Sequence, residues 1–176
     1  MADGCVLISQ HADTTGAPTA CEAKKVPCVG YNIDMVPTAP DAALTSATIN
    51  WGPYYTYAVQ SVIDGTAIDT DWSKGVKDGA DAITELNEKT VAKGTKEKVE
   101  EAQKGIEDGT IHVFDTSKFT VGGKTLEELV ESGDEDATKL QSYIKDGYFH
   151  ESDVAGGMTS APAFTFIIDG IDSITK

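Results

Sequence analysis

Residues 5–31 read CVLISQHADTTGAPTACEAKKVPCVGY, and their order decides the fold. Cys5-Val6-Leu7-Ile8 is a short continuous apolar run with β-branched members, followed by a polar loop from Ser9 to Gly16. Unbroken runs of this length belong to strands covered on both faces, as in parallel sheets. A helix is predicted from Ala17 to Lys25, with Thr14 or Thr15 as its cap and Pro18 in the first turn, where proline is tolerated. Val26-Pro27-Cys28-Val29-Gly30-Tyr31 reads as a second buried strand, and Asn32-Ile33-Asp34-Met35 as the loop that leaves it. The unit is βαβ, so the two strands run parallel.

Working outward, Pro37 and Pro40 mark a connection, and Ala43 to Asn50 form a third strand rich in β-branched residues. Strands are therefore expected at 4–9, 26–31 and 43–50, as parallel neighbours. Pro53 opens a helix predicted through about Ile63. Tyr54, Tyr55, Ala58, Val59 and Val62 recur along it at helical spacing, which predicts a buried face, and Asp64-Gly65 stops it. Residues 82–108 read as helix broken near 90–95, its second half a charged, solvated run with Val99, Ala102 and Ile106 as an apolar stripe. Short strands are predicted at Ile111–Phe114 and Phe164–Ile168, a strand running into a Gly-Gly turn at 119–124, and helices near 126–130 and 137–144. The expected organisation is a βαβ portion at 1–46, a crossover strand and return helices at 47–120, and a carboxy-terminal extension at 121–176.

Composition narrows the function. The 176 residues carry 14 Lys+Arg, every one of them Lys, against 29 Asp+Glu, for a net charge of −15. Polyanion binding draws on cations that displace counterions, and the planar guanidinium fork is the usual reader of phosphate and guanine. A chain without Arg and this acidic is a poor partner for nucleic acid, anionic lipid or phosphorylated ligands. Three cysteines, Cys5, Cys21 and Cys28, have no CxxC spacing and an odd count, which argues against a disulfide scaffold or a zinc ribbon; they read as small buried residues. No apolar run approaches the ~20 residues of a membrane span. A strand beginning this close to Met1, without the charged and apolar regions of a signal peptide, reads as part of a longer protein.

Enzyme templates fail in turn. There is no GxSxG, HExxH, GxxxxGK[ST] or GxGxxG motif, and His11, His112 and His150 are far apart. Asp69-Thr70-Asp71 opens like a calcium loop, but Lys74 stands where that loop needs Gly. No metal or cofactor is implied. What remains is a set of polar residues just past consecutive strands: His11, Asp13 and Thr14, then Asn32 and Asp34, then Asn50 with Trp51. Ligands of open α/β sheets bind beyond the carboxyl ends of strands. These groups suit a small neutral polar molecule, with Trp51 offering a flat face for stacking. Each is also an ordinary turn or core residue, and an enzyme using Asp13 and Asp34 for acid-base work, or a ligand-sensing regulatory domain, stays open beside a binding protein.

The stretches LISQHADTTGA (7–17), VPCVGYNIDM (26–35), LTSATINWGPYYTYAVQSVIDG (44–65), VKDG (76–79) and IHVF (111–114) together resemble the carboxy-terminal half of the basic membrane protein (BMP) family, substrate-binding lipoproteins of bacterial ABC importers. The resemblance covers roughly residues 4–120. It implies an α/β fold, the parallel-sheet βαβ lobe of a type I periplasmic-binding protein, with the amino-terminal lobe, signal peptide and lipid-anchored Cys outside this sequence. It further implies a non-enzymatic, extracytoplasmic protein that captures a purine nucleoside or nucleobase and delivers it to a permease. Carried over, the contacts would be His11, Asp13, Thr14, Asn32, Asp34, Asn50 and Trp51. Self-association is expected of a lobe whose apolar surface lacks its cover.

Overall fold

The computed structural model describes residues 4–150 and 164–172. They fall into two compact units, Met1–Asp64 with Lys74–Glu107 and Gly65–Ser73 with Asp108–Lys176.

The first unit is a mixed α/β layer with four strands in chain order, β1 (Ile8–Ser9), β2 (Cys28–Tyr31), β3 (Ala43–Ile49) and β4 (Asp81–Ile83). As expected, β1, β2 and β3 are parallel neighbours, with Ile8 opposite Cys28 and Gly30 opposite Ser46. The first strand is shorter than its apolar run, because Val6 and Leu7 lie exposed outside the ladder. Helix α1 (Gly16–Lys24) joins β1 to β2 and ends at Lys25, whose φ of 55° turns the chain back toward the sheet. Its inner side meets β2 and the 35–43 turns in a core of small residues, Cys21, Cys28, Met35, Ala39, Ala42 and Ala43, flanked by Ile8 and Val36. Short side chains let helix and strand approach closely, and on the same strand Gly30 fits closely against Ser46 of β3 and Met35 of the following turn. A Cβ there would stand 2.4 Å from Ser46 Oγ and 2.5 Å from Met35 Cγ.

Residues 82–90 correct the sequence reading: they are not helical. Asp81–Ile83 pairs antiparallel with Ala47–Ile49 as an edge strand, and the chain beyond it is tied to β3 by side chains. Thr45 Oγ1 donates to Thr84 O (2.7 Å), Asn87 Nδ2 to Ala43 O (2.8 Å), and Thr90 Oγ1 to the same carbonyl (2.8 Å). Thr and Asn side chains that bond backbone this way compete with helix formation.

Helix α2 (Gly52–Asp64) follows β3, its entry fixed by Asn50 Oδ1 accepting from Gly52 N at 3.0 Å. Only part of the predicted face is covered. Ser61 is buried and Tyr54, Tyr57 and Ala58 are half-buried, whereas Tyr55, Val59, Val62 and Ile63 are 59–71% exposed. Helix α3 (Thr95–Glu107) is mostly solvent-facing, in keeping with its charged run.

The second unit has its own core, Leu126, Tyr143, Ile144 and Phe149, against which Phe114, Phe119, Phe164 and Phe166 pack. Helices α4 (Leu126–Glu131) and α5 (Glu135–Lys139) are capped by Thr125, through a reciprocal capping box with Glu128, and by Asp134. Strands β5 (Ile144–Lys145) and β6 (Tyr148–Phe149) form a hairpin around Asp146-Gly147, both at positive φ (56° and 82°), as a two-residue Asp-Gly turn requires. The strands expected at 111–114 and 164–168 form no ladder. Phe114 instead offers its carbonyl to Phe149 N (2.9 Å), and Phe164 serves the aromatic core. The Gly-Gly turn is present, closed by a Val121–Lys124 bridge, and Asp169 accepts from Thr120 Oγ1, Gly122 N and Gly123 N.

Candidate functional site

The loops that leave β1 and β2 at their carboxyl ends lie side by side in the first unit, because the two strands are adjacent and parallel. Between them is an open cavity of about 570 Å³ lined by Asp13, Thr14 and Thr15 from one loop and Tyr31, Asn32, Ile33 and Met35 from the other.

Each loop is held by its own hydrogen bonds. On the first, Gln10 Nε2 donates to Thr14 O (3.1 Å), Thr14 N to Ala12 O (2.8 Å), and Gly16 N to Thr14 Oγ1 (3.1 Å). On the second, Asn32 N donates to Ala47 O (2.7 Å) and Thr48 Oγ1 to Asn32 O (2.7 Å), so β3 fixes the exit of β2. Asn32 adopts φ 68°, the left-handed conformation that Asn tolerates better than most side chains. That turn aims its amide at the first loop, where Nδ2 donates to Asp13 Oδ1 at 3.1 Å. The bond spans the two loops that line the cavity.

The sequence-derived candidates separate here. Asp13, Thr14 and Asn32 line the cavity. His11 sits edge-on against Tyr31, ring centroids 4.3 Å apart at 80°. Asp34 accepts from Val36 N (2.9 Å) and stabilises the turn after β2. Asn50 is engaged at both ends of its amide, donating to Gly79 O (2.9 Å) and accepting from Gly52 N. Trp51 is 54% exposed and stacks on Tyr55 at 6.1 Å. Neither Asn50 nor Trp51 belongs to the cavity wall. Thr15, Tyr31, Ile33 and Met35 are the lining residues that the sequence reading did not single out; the signal was Tyr31's place as the last residue of an apolar strand. The other histidines, His112 and His150, stack on Tyr148 in the second unit at 3.6 and 3.7 Å.

Chemically the walls present a carboxylate, an amide, two hydroxyls, a phenol ring and the buried Met35. Among the described residues, no Lys lines them. Among the described residues, no three His, Cys, Asp or Glu converge as a metal site, and no helix is long and apolar enough to cross a membrane.

Residues 1–115 match the Bmp family, described as PnrA-like ABC transporter substrate-binding proteins. The chain belongs to this family. A purine-binding protein of Brucella abortus (strain 2308) is 30% identical over 111 residues, 63% of this chain and 31% of that protein. The Bmp chain thus spans about a third of the length of the curated relative it matches. Among solved structures, a transcriptional activator of the comK gene from Bacillus halodurans superposes with a TM-score of 0.55 at 14% identity, over 64% of this chain and 40% of that one. That likeness is one of fold. An ABC transporter solute-binding protein from Conexibacter woesei gives a TM-score of 0.44 at 17% identity, over 64% of this chain and 38% of that one. The Bmp match ends at residue 115, so the second unit of the present chain lies mostly beyond it.

Proposed function

We propose that this Bmp chain contributes ligand contacts to an extracytoplasmic, lipid-anchored substrate-binding protein that captures a neutral purine nucleoside or nucleobase for an ABC permease. The observation that carries the reading is the Asp13–Asn32 bond between two loops whose cavity is also lined by apolar Met35 and by Tyr31, at the ends of parallel strands. Asp13 accepts from ring or exocyclic N–H groups, Asn32 and Thr14 exchange hydrogen bonds with base or ribose, and an aromatic ring stacks on the base. The absence of Lys among the described residues of the wall favours neutral ligands over nucleotides. The family's role as binding rather than catalytic proteins supports a non-enzymatic function, and the purine-binding relative supports the ligand class.

Calorimetric titration of this chain, and of the longest natural protein containing it, with adenine, adenosine, guanosine, ribose and adenosine monophosphate tests the reading. Adenosine or guanosine should bind, ribose and the nucleotide weakly, and salt should matter little because a neutral ligand displaces no counterions. Asp13→Ala leaves a ligand donor unpaired and should cost roughly 1–3 kcal/mol, one to two decades in affinity. Tyr31→Ala and Trp51→Ala, compared for loss of adenosine against ribose, identify the stacking ring. Preferential binding of the nucleotide would refute the proposal.

A further inference from the structure

Cys21 on α1 and Cys28 on β2 are sealed from solvent, at 0% and 1% exposure, within the same small core. The two thiols are neighbours in that core, and Cys21 is among the groups that push the Cys28 thiol up. The remaining cysteine, Cys5, is exposed. The odd count and wide spacing of the three hid this pairing in the sequence, since Cys21 and Cys28 meet only because α1 folds back on the strand that follows it. The two elements they join also carry the cavity loops: α1 begins directly after Thr15, and β2 ends at Tyr31.

We propose that Cys21 and Cys28 are a redox pair that closes an intramolecular disulfide, stapling α1 to β2 and so fixing the two loops of the cavity relative to each other. The oxidant is a disulfide-bearing thiol reagent or exchange protein, as found in oxidising extracytoplasmic compartments. One cysteine thiolate attacks the oxidant's S–S bond, giving a mixed disulfide and releasing one thiolate. The second cysteine then attacks the mixed disulfide, forms the Cys21–Cys28 bond and expels the second thiolate. The pair gives up two electrons and two protons, and one oxidant disulfide becomes two thiols. Because the thiolate is the nucleophile, reaction in the closed state is slow: burial and the neighbouring Cys21 push the Cys28 thiol up to about 11. Exchange therefore proceeds through transient opening of α1 from the sheet.

The inference is independent of the purine reading, and its test contains no purine. The Cys5→Ser chain is incubated with glutathione disulfide in urea below the unfolding midpoint, then quenched with a thiol-blocking reagent after denaturation. The expected product is a monomer lighter by two hydrogens with no thiol left to block. Trypsin cleaves after Lys24 and Lys25, so the two cysteines fall on separate peptides, and the expected digest holds one cross-linked species that reductant separates. Its Tm should exceed that of the reduced chain by about 5–10 °C, since the bridge removes loop-closure entropy from the unfolded state. Cys28→Ala in the same background should stop at a glutathione adduct on Cys21. Free thiols after prolonged exchange, stable glutathione adducts on both cysteines, disulfide-linked dimers, or an oxidised Tm at or below the reduced one would each overturn the proposal.

Discussion

Replacing Gly30 by Ala probes the tightest point behind the cavity. The added Cβ would meet Ser46 Oγ at 2.4 Å, Met35 Cγ at 2.5 Å and Met35 Cβ at 3.0 Å, all well inside ordinary contact. Both neighbours are buried, Ser46 at 0% and Met35 at 2% exposure. Relief on the two sides differs. Ser46 Oγ has no hydrogen-bond partner among the described residues, so rotating it sacrifices nothing. Met35 presents its Cβ as well as its flexible end, so its backbone must shift and the cavity wall with it. Overpacking of a filled core costs roughly 1–3 kcal/mol; with two buried neighbours displaced, a loss of about 2–3 kcal/mol is expected, lowering Tm by roughly 5–10 °C in a chain of this size. Urea and thermal unfolding followed by circular dichroism measure it. Ser46→Ala alone should be close to neutral, because the deleted hydroxyl is unpaired. In the double variant it should recover about 0.5–1.5 kcal/mol of the Gly30→Ala loss, a coupling expected of side chains in contact. A Gly30→Ala protein within roughly 0.5 kcal/mol of the parent, the range of a neutral surface change, would refute the packing argument, and strict additivity would remove Ser46 from it.

Acid should act first on the second unit. Asp115 accepts from the Ser117 hydroxyl, Lys118 and Ser117 N, and these hold its carboxyl down at about 2. A pKa depressed in the folded state means stability that is complete above the ordinary value near 4 and is lost as pH falls toward 2. Carbon-detected NMR titration should place Asp115 in that range, and Asp115→Asn should flatten the aromatic near-ultraviolet signal of the second unit between pH 4 and 2; an Asp115 titrating at the ordinary carboxylate value would contradict this. On α2, Val59→Lys with Val62→Lys should leave stability within roughly 0.5 kcal/mol while reducing self-association of the chain in light scattering. If the parent is monomeric over a wide concentration range, the exposed stripe drives no association.

Local signals in the sequence carried the scaffold of the first unit. Two short apolar runs separated by a proline-opened helix leave few options other than a parallel βαβ pair, because strand, loop and helix are each encoded within a few residues of one another. The same locality exposed Asp13, Thr14 and Asn32 as polar groups at strand ends, where adjacent parallel strands bring them together. Asp146-Gly147 carried its hairpin in two residues as well, though the surrounding tail gave no reason to single it out. Other features depend on partners distant in the chain. Whether 82–90 would be helix or edge strand was settled by Thr84, Asn87 and Thr90 finding the carbonyls and hydroxyls of β3, some forty residues earlier. The apolar positions of α2 have helical period, but period alone says that a face is apolar and not that anything covers it; Tyr55, Val59 and Val62 lie exposed. Tyr31 lines the cavity because β3 fixes the turn at Asn32, and Cys21 meets Cys28 because α1 lies against β2. Periodicity and turn chemistry are properties of a segment, and the sequence by itself determined those. Contact between segments depends on the free energy of the whole packed chain, and only the tertiary structure decided it.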